Sequence, residues 1–140
     1  YGLALCYHYT HEEAILPLFE RVTKYFIDHL PEDYVPYWDL IFSDGSCEPR
    51  DTSAAAIAAC GILEMEKYYH NQEFLDIAKK MMSSLSEKYT TVDYLQSNGI
   101  IKDGMYSRKH GHKSECTSWG DYFYLEALMR MKKSDWKIYW

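Results

Sequence analysis

The stretch Asp51-Thr-Ser-Ala-Ala-Ala-Ile-Ala-Ala-Cys-Gly-Ile-Leu-Glu-Met65 decides the fold of this 140-residue chain. From Ala54 onward it is apolar on nearly every side of a helix, and the polar residues just before Ala54 can each cap a helix start. A helix that is apolar all round is buried, so other helices must cover it. The stretch therefore predicts a central, buried helix in an all-α fold.

The rest of the chain repeats this pattern in alternation. Gly2–Tyr9 and Trp119–Met131 are also apolar on most sides and predict two more buried helices. Between these three predicted helices lie two amphipathic stretches. The apolar stripe of the first is Ile15, Leu16, Phe19, Val22, Phe26 and Leu30, and that of the second is Phe74, Leu75, Ala78, Met82 and Leu85. The order indicates helical hairpins in which inner apolar helices are covered by outer amphipathic ones. Thr10 and Glu13 have the spacing of a capping box for the second helix, and Thr117 or Ser118 can cap the last.

The bulk composition fits one globular domain over residues 1–140. The chain is 47% hydrophobic and 16% aromatic, which is enough to build a core. A net charge of −6 argues against nucleic acid or an anionic membrane as the main partner. No apolar run approaches the ~20 residues that span a bilayer, and we expect a soluble protein. The four cysteines form no C-x-x-C pair and are expected to be buried thiols. The chain opens without Met in what resembles the middle of a helix, which suggests a piece of a longer protein.

Two long connections carry the functional prediction. They span roughly Pro31–Arg50 and Tyr89–Thr117, and each precedes a helix that should be buried. In an up-and-down arrangement both fall on the same rim, and loops longer than ~12–15 residues are often functional. Within the second loop, the alternating segment Gly99–Tyr106 predicts a small hairpin.

A basic cluster in the second loop, Arg108–Lys113, runs directly into the last helix. A helix start facing a cationic loop favours an anion, because free backbone N–H groups and the helix dipole point at it. His110, His112 and Cys116 could also be interpreted as metal ligands, but a zinc site needs three or four ligands at recognisable spacing. We therefore predict no metal and favour histidines that are structural or contact a substrate.

The first loop and the helix starts offer further candidates. Asp51 is expected to cap its helix, with Arg50 as its ion-pair or loop partner, and Arg50 could also contact a substrate. Trp38 lies in the loop on the predicted rim and is a candidate platform for a sugar ring. Trp119, Tyr122 and Tyr124 could also stack on sugar rings, but their helical spacing is more typical of core residues, and they are expected to belong mostly to the core.

Three segments in the same order resemble the unsaturated glucuronyl hydrolases, glycoside hydrolase family 88. They are Pro36-Tyr-Trp-Asp39, Glu48-Pro-Arg-Asp-Thr-Ser-Ala-Ala-Ala-Ile-Ala58 and Trp119-Gly-Asp-Tyr-Phe-Tyr-Leu-Glu-Ala-Leu-Met-Arg130. The resemblance covers essentially the whole chain. It implies an (α/α)6 toroid, of which this chain is the C-terminal portion.

The resemblance implies a glycosidase that removes unsaturated glucuronic acid from glycosaminoglycan disaccharides released by lyases. Its mechanism hydrates the C4=C5 double bond, with one Asp as general acid/base and a second Asp assisting. That Asp pair belongs to the N-terminal half of the family, so no catalytic residue is expected here: Asp39, Asp51 and Asp121 do not occupy the motif positions. The isolated chain should be inactive. No cofactor is implied.

The resemblance also indicates part of the binding site. Family members that act on sulfated substrates carry Ser-x-x-Ser-x-Lys in the late loop; here Ser107 matches, while His110 and His112 replace the second Ser and the Lys. The predicted substrate-binding residues are Ser107, His110, His112, Lys113, Trp38 and Arg50. The predicted partners are the disaccharide and the missing N-terminal half of the toroid. The implied source is a bacterium, in its cytoplasm or periplasm. Two alternatives stay open: an unsaturated rhamnogalacturonyl hydrolase and a non-catalytic helical-repeat interaction module.

Overall fold

A computed structural model describes residues 1–108, 114–133 and 135–139, and these residues form five helices. The helices are α1 (Gly2–Thr10), α2 (Ile15–Asp28), α3 (Thr52–Met65), α4 (Gln72–Lys88) and α5 (Ser118–Lys132). Extended pairing in the described part is limited to isolated bridges, Tyr37 with Arg50, Thr90 with Ile101 and Gly104 with Glu115. The all-α prediction is confirmed. The predicted Gly99–Tyr106 hairpin is wrong, because this segment pairs outward with residues before and after it.

Helix α3 lies at the centre of the molecule, as its sequence predicts. Ten of its fourteen residues are buried, and it packs against α1, α4 and α5, while α2 packs against α1. Its small side chains allow close approach: a β-carbon on Gly61 would lie 2.8 Å from the backbone nitrogen of Tyr1. The inner helices α1, α3 and α5 are thus covered by the outer helices α2 and α4.

The helix starts follow the predicted capping chemistry at α3 and α5. The Asp51 carboxylate accepts the Ser53 N–H, and the Thr117 hydroxyl accepts the Gly120 N–H. The capping box predicted at Thr10 and Glu13 is wrong. The Thr10 hydroxyl instead donates to the Cys6 carbonyl at 2.7 Å, because α1 extends through Thr10.

A buried cluster of charges fastens the inner helices to one another near the C-terminal ends of α3 and α5. The Arg130 guanidinium donates to the Glu64 carboxylate and, from Nε at 2.8 Å, to Glu126. The three side chains are 2%, 0% and 3% exposed in that order. The Tyr1 hydroxyl donates a hydrogen bond to the Glu126 carboxylate at 2.8 Å, and His8 Nδ1 lies 3.0 Å from the Glu64 carboxylate. The cluster therefore joins α1, α3 and α5.

These contacts determine how Glu64 titrates. Burial by itself would raise the pKa of the Glu64 carboxyl, but hydrogen bonds from Lys67 and Arg130 outweigh it and hold the pKa below its ordinary value of 4.5. Burial by itself would lower the pKa of the Arg130 guanidinium, but the carboxylates of Glu64 and Glu126 outweigh it and raise that pKa. Glu64 thus stays ionised in the core at neutral pH.

The expectation that all three inner helices are buried all round holds only for α3. On α5 an apolar face is exposed, comprising Tyr122, Leu125, Leu128 and Met131. A second apolar surface is a groove of about 330 Å³ between α2 and α3, with Tyr1 at its end. The cysteine expectation is also corrected: Cys60 is buried, whereas Cys6, Cys47 and Cys116 are exposed. Among the described residues, no helix has the length and apolar character to cross a membrane.

Candidate functional site

The two long loops meet at the N-terminal end of α3. Thr52 makes two contacts with the second loop: its N–H donates to the Asp103 carbonyl at 3.0 Å and its hydroxyl to the Lys102 carbonyl at 2.8 Å. The Asp51 carboxylate, besides capping α3, accepts the Met105 N–H at 3.3 Å. On the first-loop side, the Asp51 N–H donates to the Pro36 carbonyl at 2.9 Å. The prediction that both loops lie on one rim is therefore confirmed.

Helix α5 begins at the same rim and holds the second loop from its other side. Oδ1 of Asp121, in the first turn of α5, accepts the N–H groups of Ile100 at 2.9 Å and Ile101 at 3.0 Å. The loop and the helix approach so closely that a β-carbon on Gly99 would lie 2.3 Å from that of Cys116, so the position requires glycine. Carboxylates of the chain itself thus lie at the N-terminal ends of both helices, Asp51 as the N-cap of α3 and Asp121 in the first turn of α5. This weakens the attraction of the helix dipoles for an outside anion, and the loop side chains must supply the recognition.

Arg50 organises the first loop. Its guanidinium donates to the Val35 carbonyl at 2.9 Å, lies 3.5 Å from Asp33 and 3.6 Å from Asp44, and stacks 3.9 Å above the centre of the Tyr37 ring. Of the two roles predicted for Arg50, the structure shows the loop partner and not the ion pair with Asp51, because the bend of the loop directs the side chain back over residues 33–44. The side chain remains partly exposed at the rim.

Trp38 lies where the two loops touch. Its indole N–H donates to the Glu48 carboxylate at 2.9 Å, and the Arg108 guanidinium donates to the same Glu48 oxygen at 3.3 Å. Its ring also contacts the Phe42 ring, and the side chain is half-buried. The Glu48 carboxylate thus joins Trp38, in the first loop, to Arg108, which follows Ser107 and begins the basic cluster.

Of the basic cluster, Arg108 is described, and so is Ser107 just before it, whose side chain is half-buried. His110, His112 and Lys113 lie outside the described residues. Within the described part, no group of three or more His, Cys, Asp or Glu side chains could hold a metal ion.

Two features of the structure were not found from the sequence. The Glu64–Arg130–Glu126 cluster was missed, although a charged residue in an otherwise apolar helix is a signal for it. Trp119 was expected in the core but is 38% exposed at the rim. Its partners on the α3 start, more than sixty residues away in sequence, explain why helical spacing alone misplaced it.

Comparison with known proteins identifies relatives. No family model matches the chain. An unsaturated chondroitin disaccharide hydrolase of Streptococcus agalactiae is 43% identical over 146 aligned residues, covering all of this chain and 36% of the relative. An unsaturated glucuronyl hydrolase of Bacillus sp. strain GL1 is 37% identical, over 95% of this chain and 37% of the relative.

Solved structures agree with these relatives. A crystal structure of a mutant unsaturated glucuronyl hydrolase from S. agalactiae, complexed with dGlcA-GalNAc6S, matches with a TM-score of 0.93 at 43% identity, over 100% of this chain and 38% of that one. The resemblance to unsaturated glucuronyl hydrolases is thus confirmed over the whole chain, and the chain corresponds to the C-terminal part of these proteins. It spans little more than a third of the length of the curated relatives it matches.

Proposed function

We propose that this chain is the C-terminal portion of an unsaturated glucuronyl hydrolase, which removes unsaturated glucuronic acid from lyase-generated glycosaminoglycan disaccharides. The observation that carries the proposal is the meeting of both long loops at the starts of α3 and α5, in a chain that matches these hydrolases along its full length. Residues 1–140 would then be one continuous part of the toroid. The whole protein would work in solution in the cytoplasm or periplasm of a bacterium.

In this proposal the chain binds and the remainder of the protein catalyses. The acid/base Asp pair lies in the part that the relatives have and this chain lacks. There, one Asp transfers a proton to the C4=C5 double bond while water adds to C5, and the resulting hemiketal opens and releases the neighbouring sugar. The present chain contributes no catalytic residue. It contributes the rim, and the buried cluster around Arg130 keeps the inner helices of that rim in place.

The proposed substrate contacts come from the two loops. The hydroxyl of Ser107 and the side chains of His110, His112 and Lys113 would bind the anionic groups of the disaccharide by hydrogen bonds, which are strongest when one member is charged. Trp38 and Arg50 would border the site from the first loop. The shared Glu48 carboxylate supports this arrangement, since it ties Trp38 to the basic cluster through Arg108.

The missing N-terminal part of the toroid is the proposed partner of the exposed apolar surfaces. The groove between α2 and α3 is lined by side chains suited to another helix, among them Phe19, Phe26 and Ile57. The exposed face of α5 is equally apolar. Because large exposed apolar patches mark interaction surfaces, we expect the isolated chain to self-associate, measurable as a concentration-dependent mass in sedimentation.

A chimera tests the proposed function. This chain would replace the matching third of the S. agalactiae relative, and hydrolysis of unsaturated chondroitin disaccharide would be followed by the loss of the ultraviolet absorbance of the C4=C5 bond. We expect activity within about tenfold of the parent. A folded chimera that binds but does not turn over this disaccharide, or that prefers an unsaturated rhamnogalacturonyl disaccharide, would overturn the proposal.

A further inference from the structure

The start of α5 presents an indole ring to solvent between the two loops. Trp119 is the second residue of α5 and is 38% exposed. Its ring lies 5.9 Å from the ring of Tyr106, tilted by 50°. Single exposed apolar residues are common on protein surfaces, so exposure alone assigns no role to this side chain. What distinguishes Trp119 is how the polar edge of its ring is held.

A chain of hydrogen bonds fixes that edge. The Trp119 Nε1–H donates to the Ser53 hydroxyl at 3.2 Å, and that hydroxyl donates in turn to the Asp51 carboxylate at 2.6 Å. The same Asp51 oxygen accepts the N–H groups of Ser53 and of Met105 in the second loop. The indole orientation is therefore set jointly by α5, by the start of α3 and by the loop that carries Ser107.

Packing of the indole ring in a core would not require this chain of hydrogen bonds. A tryptophan whose N–H is satisfied and whose ring is partly exposed offers an oriented apolar surface to a ligand, with little rotamer freedom left to lose on binding.

We propose that Trp119 is a platform on which a pyranose ring of the disaccharide stacks, with Ser53 and Asp51 as the residues that position it. This inference rests on the proposed function, because it names a further contact of the same site. The C–H face of a sugar matches the apolar face of an indole. The platform is specific for ring shape and carries no charge, so it would add to the anion contacts proposed for Ser107.

The experiment uses the chimera with the S. agalactiae relative. Trp119→Ala should raise KM for the unsaturated disaccharide about 3- to 10-fold, the range expected for losing one ring contact, and leave kcat nearly unchanged. Ser53→Ala keeps the indole but releases its edge, and should raise KM by a smaller factor. Tyr9→Ala removes a still more exposed aromatic, at the C-terminal end of α1, and should change neither constant.

Fluorescence provides the second readout and does not depend on the alanine variant folding. In the mutant background in which the relative was crystallised with its disaccharide, adding that disaccharide should change the tryptophan emission, and Trp119→Phe should lose much of the change. A folded Trp119→Ala chimera with KM within twofold of the unmutated chimera, or an emission change that survives Trp119→Phe, would overturn the inference. An unmutated chimera without activity would instead refute the proposed function.

Discussion

Replacing Arg130 by methionine should destabilise the chain more than any surface change, because it leaves two carboxylates buried without their main counter-charge. Arg130 reaches Glu64 and Glu126 at once, and the three side chains are almost inaccessible to water. Removing one member of a buried ion pair costs ~3–5 kcal/mol in free energy of unfolding, chiefly the penalty of the uncompensated charge. Screening by solvent does not reduce this figure, because water reaches none of the three groups.

The remaining contacts show where the cost arises. Without Arg130, Glu64 still has the Lys67 ammonium at 2.7 Å, whereas Glu126 keeps the hydroxyls of Tyr1, at 2.8 Å, and Tyr122, neither of which carries a positive charge. The uncompensated charge is therefore mostly that of Glu126. A second substitution, Glu126→Gln, should recover at least ~1 kcal/mol of the loss, since it removes that charge.

The assay is urea or thermal unfolding followed by circular dichroism, at a protein concentration where the chain is monomeric. For a chain of this size the loss corresponds to a fall in Tm of ~10–20 °C. The matched control is Lys24→Ala, which breaks a 3.6 Å pair with Asp28 on α2 whose members are both more than half exposed, and should cost under ~1 kcal/mol. An Arg130→Met loss no larger than that of the control would refute the reasoning.

Three further predictions concern caps, pH and binding. Asp51→Ala should lower the free energy of unfolding by ~1–2 kcal/mol in denaturation experiments, because it removes a helix cap and the acceptor of the Met105 N–H; an unchanged midpoint would contradict the assigned role. In the folded chain the pKa of Glu64 lies below its ordinary value of 4.5. The stability that this carboxylate contributes is therefore complete above pH 4.5 and is lost as the pH falls through the folded pKa. Unfolding midpoints measured from pH 6 downward should fall in acid, and should fall less in the Glu64→Gln variant. In the chimera, Ser107→Ala and His112→Ala should each raise KM for the disaccharide, and unchanged constants in both would remove the late loop from the binding site.

Local chemistry explains which parts of the fold the sequence predicts. Asp51 and Thr117 cap the helices that were assigned to them, because capping depends only on residues within one turn. The extent of α3 follows from its apolar run. The common rim of the two loops follows from connection lengths together with an up-and-down arrangement, and neither requires knowledge of distant contacts.

The failures involve partners that are distant in sequence. Arg50 turns away from Asp51 toward Asp33 and Asp44 because the path of the first loop, rather than sequence adjacency, selects its partners. Glu64 and Arg130 meet across 66 positions, and a sequence shows the two charges without showing that they pair. Trp119 was misplaced for the same reason: periodicity assigned it to a helix face, while its exposure depends on what surrounds the start of α5.

The apolar residues of α5 illustrate a second limit. Their pattern correctly indicated an inner helix, yet Tyr122, Leu125 and Leu128 are exposed in this chain. An apolar pattern shows that a helix face is suited to be buried. It does not show whether the element that buries this face belongs to the same stretch of sequence. The proposed toroid reconciles the two, because the covering elements would come from the remaining length of the relatives.

Complementation between two fragments tests the central claim most directly. The chain would be mixed with the part of the S. agalactiae relative that it does not match, and the absorbance of an unsaturated chondroitin disaccharide would be followed in each fragment alone and in the mixture. We predict that neither fragment consumes the substrate and that the mixture does, since one brings the rim and the other the acid/base pair. Consumption by this chain alone, or equal rates for the other fragment with and without it, would contradict the account.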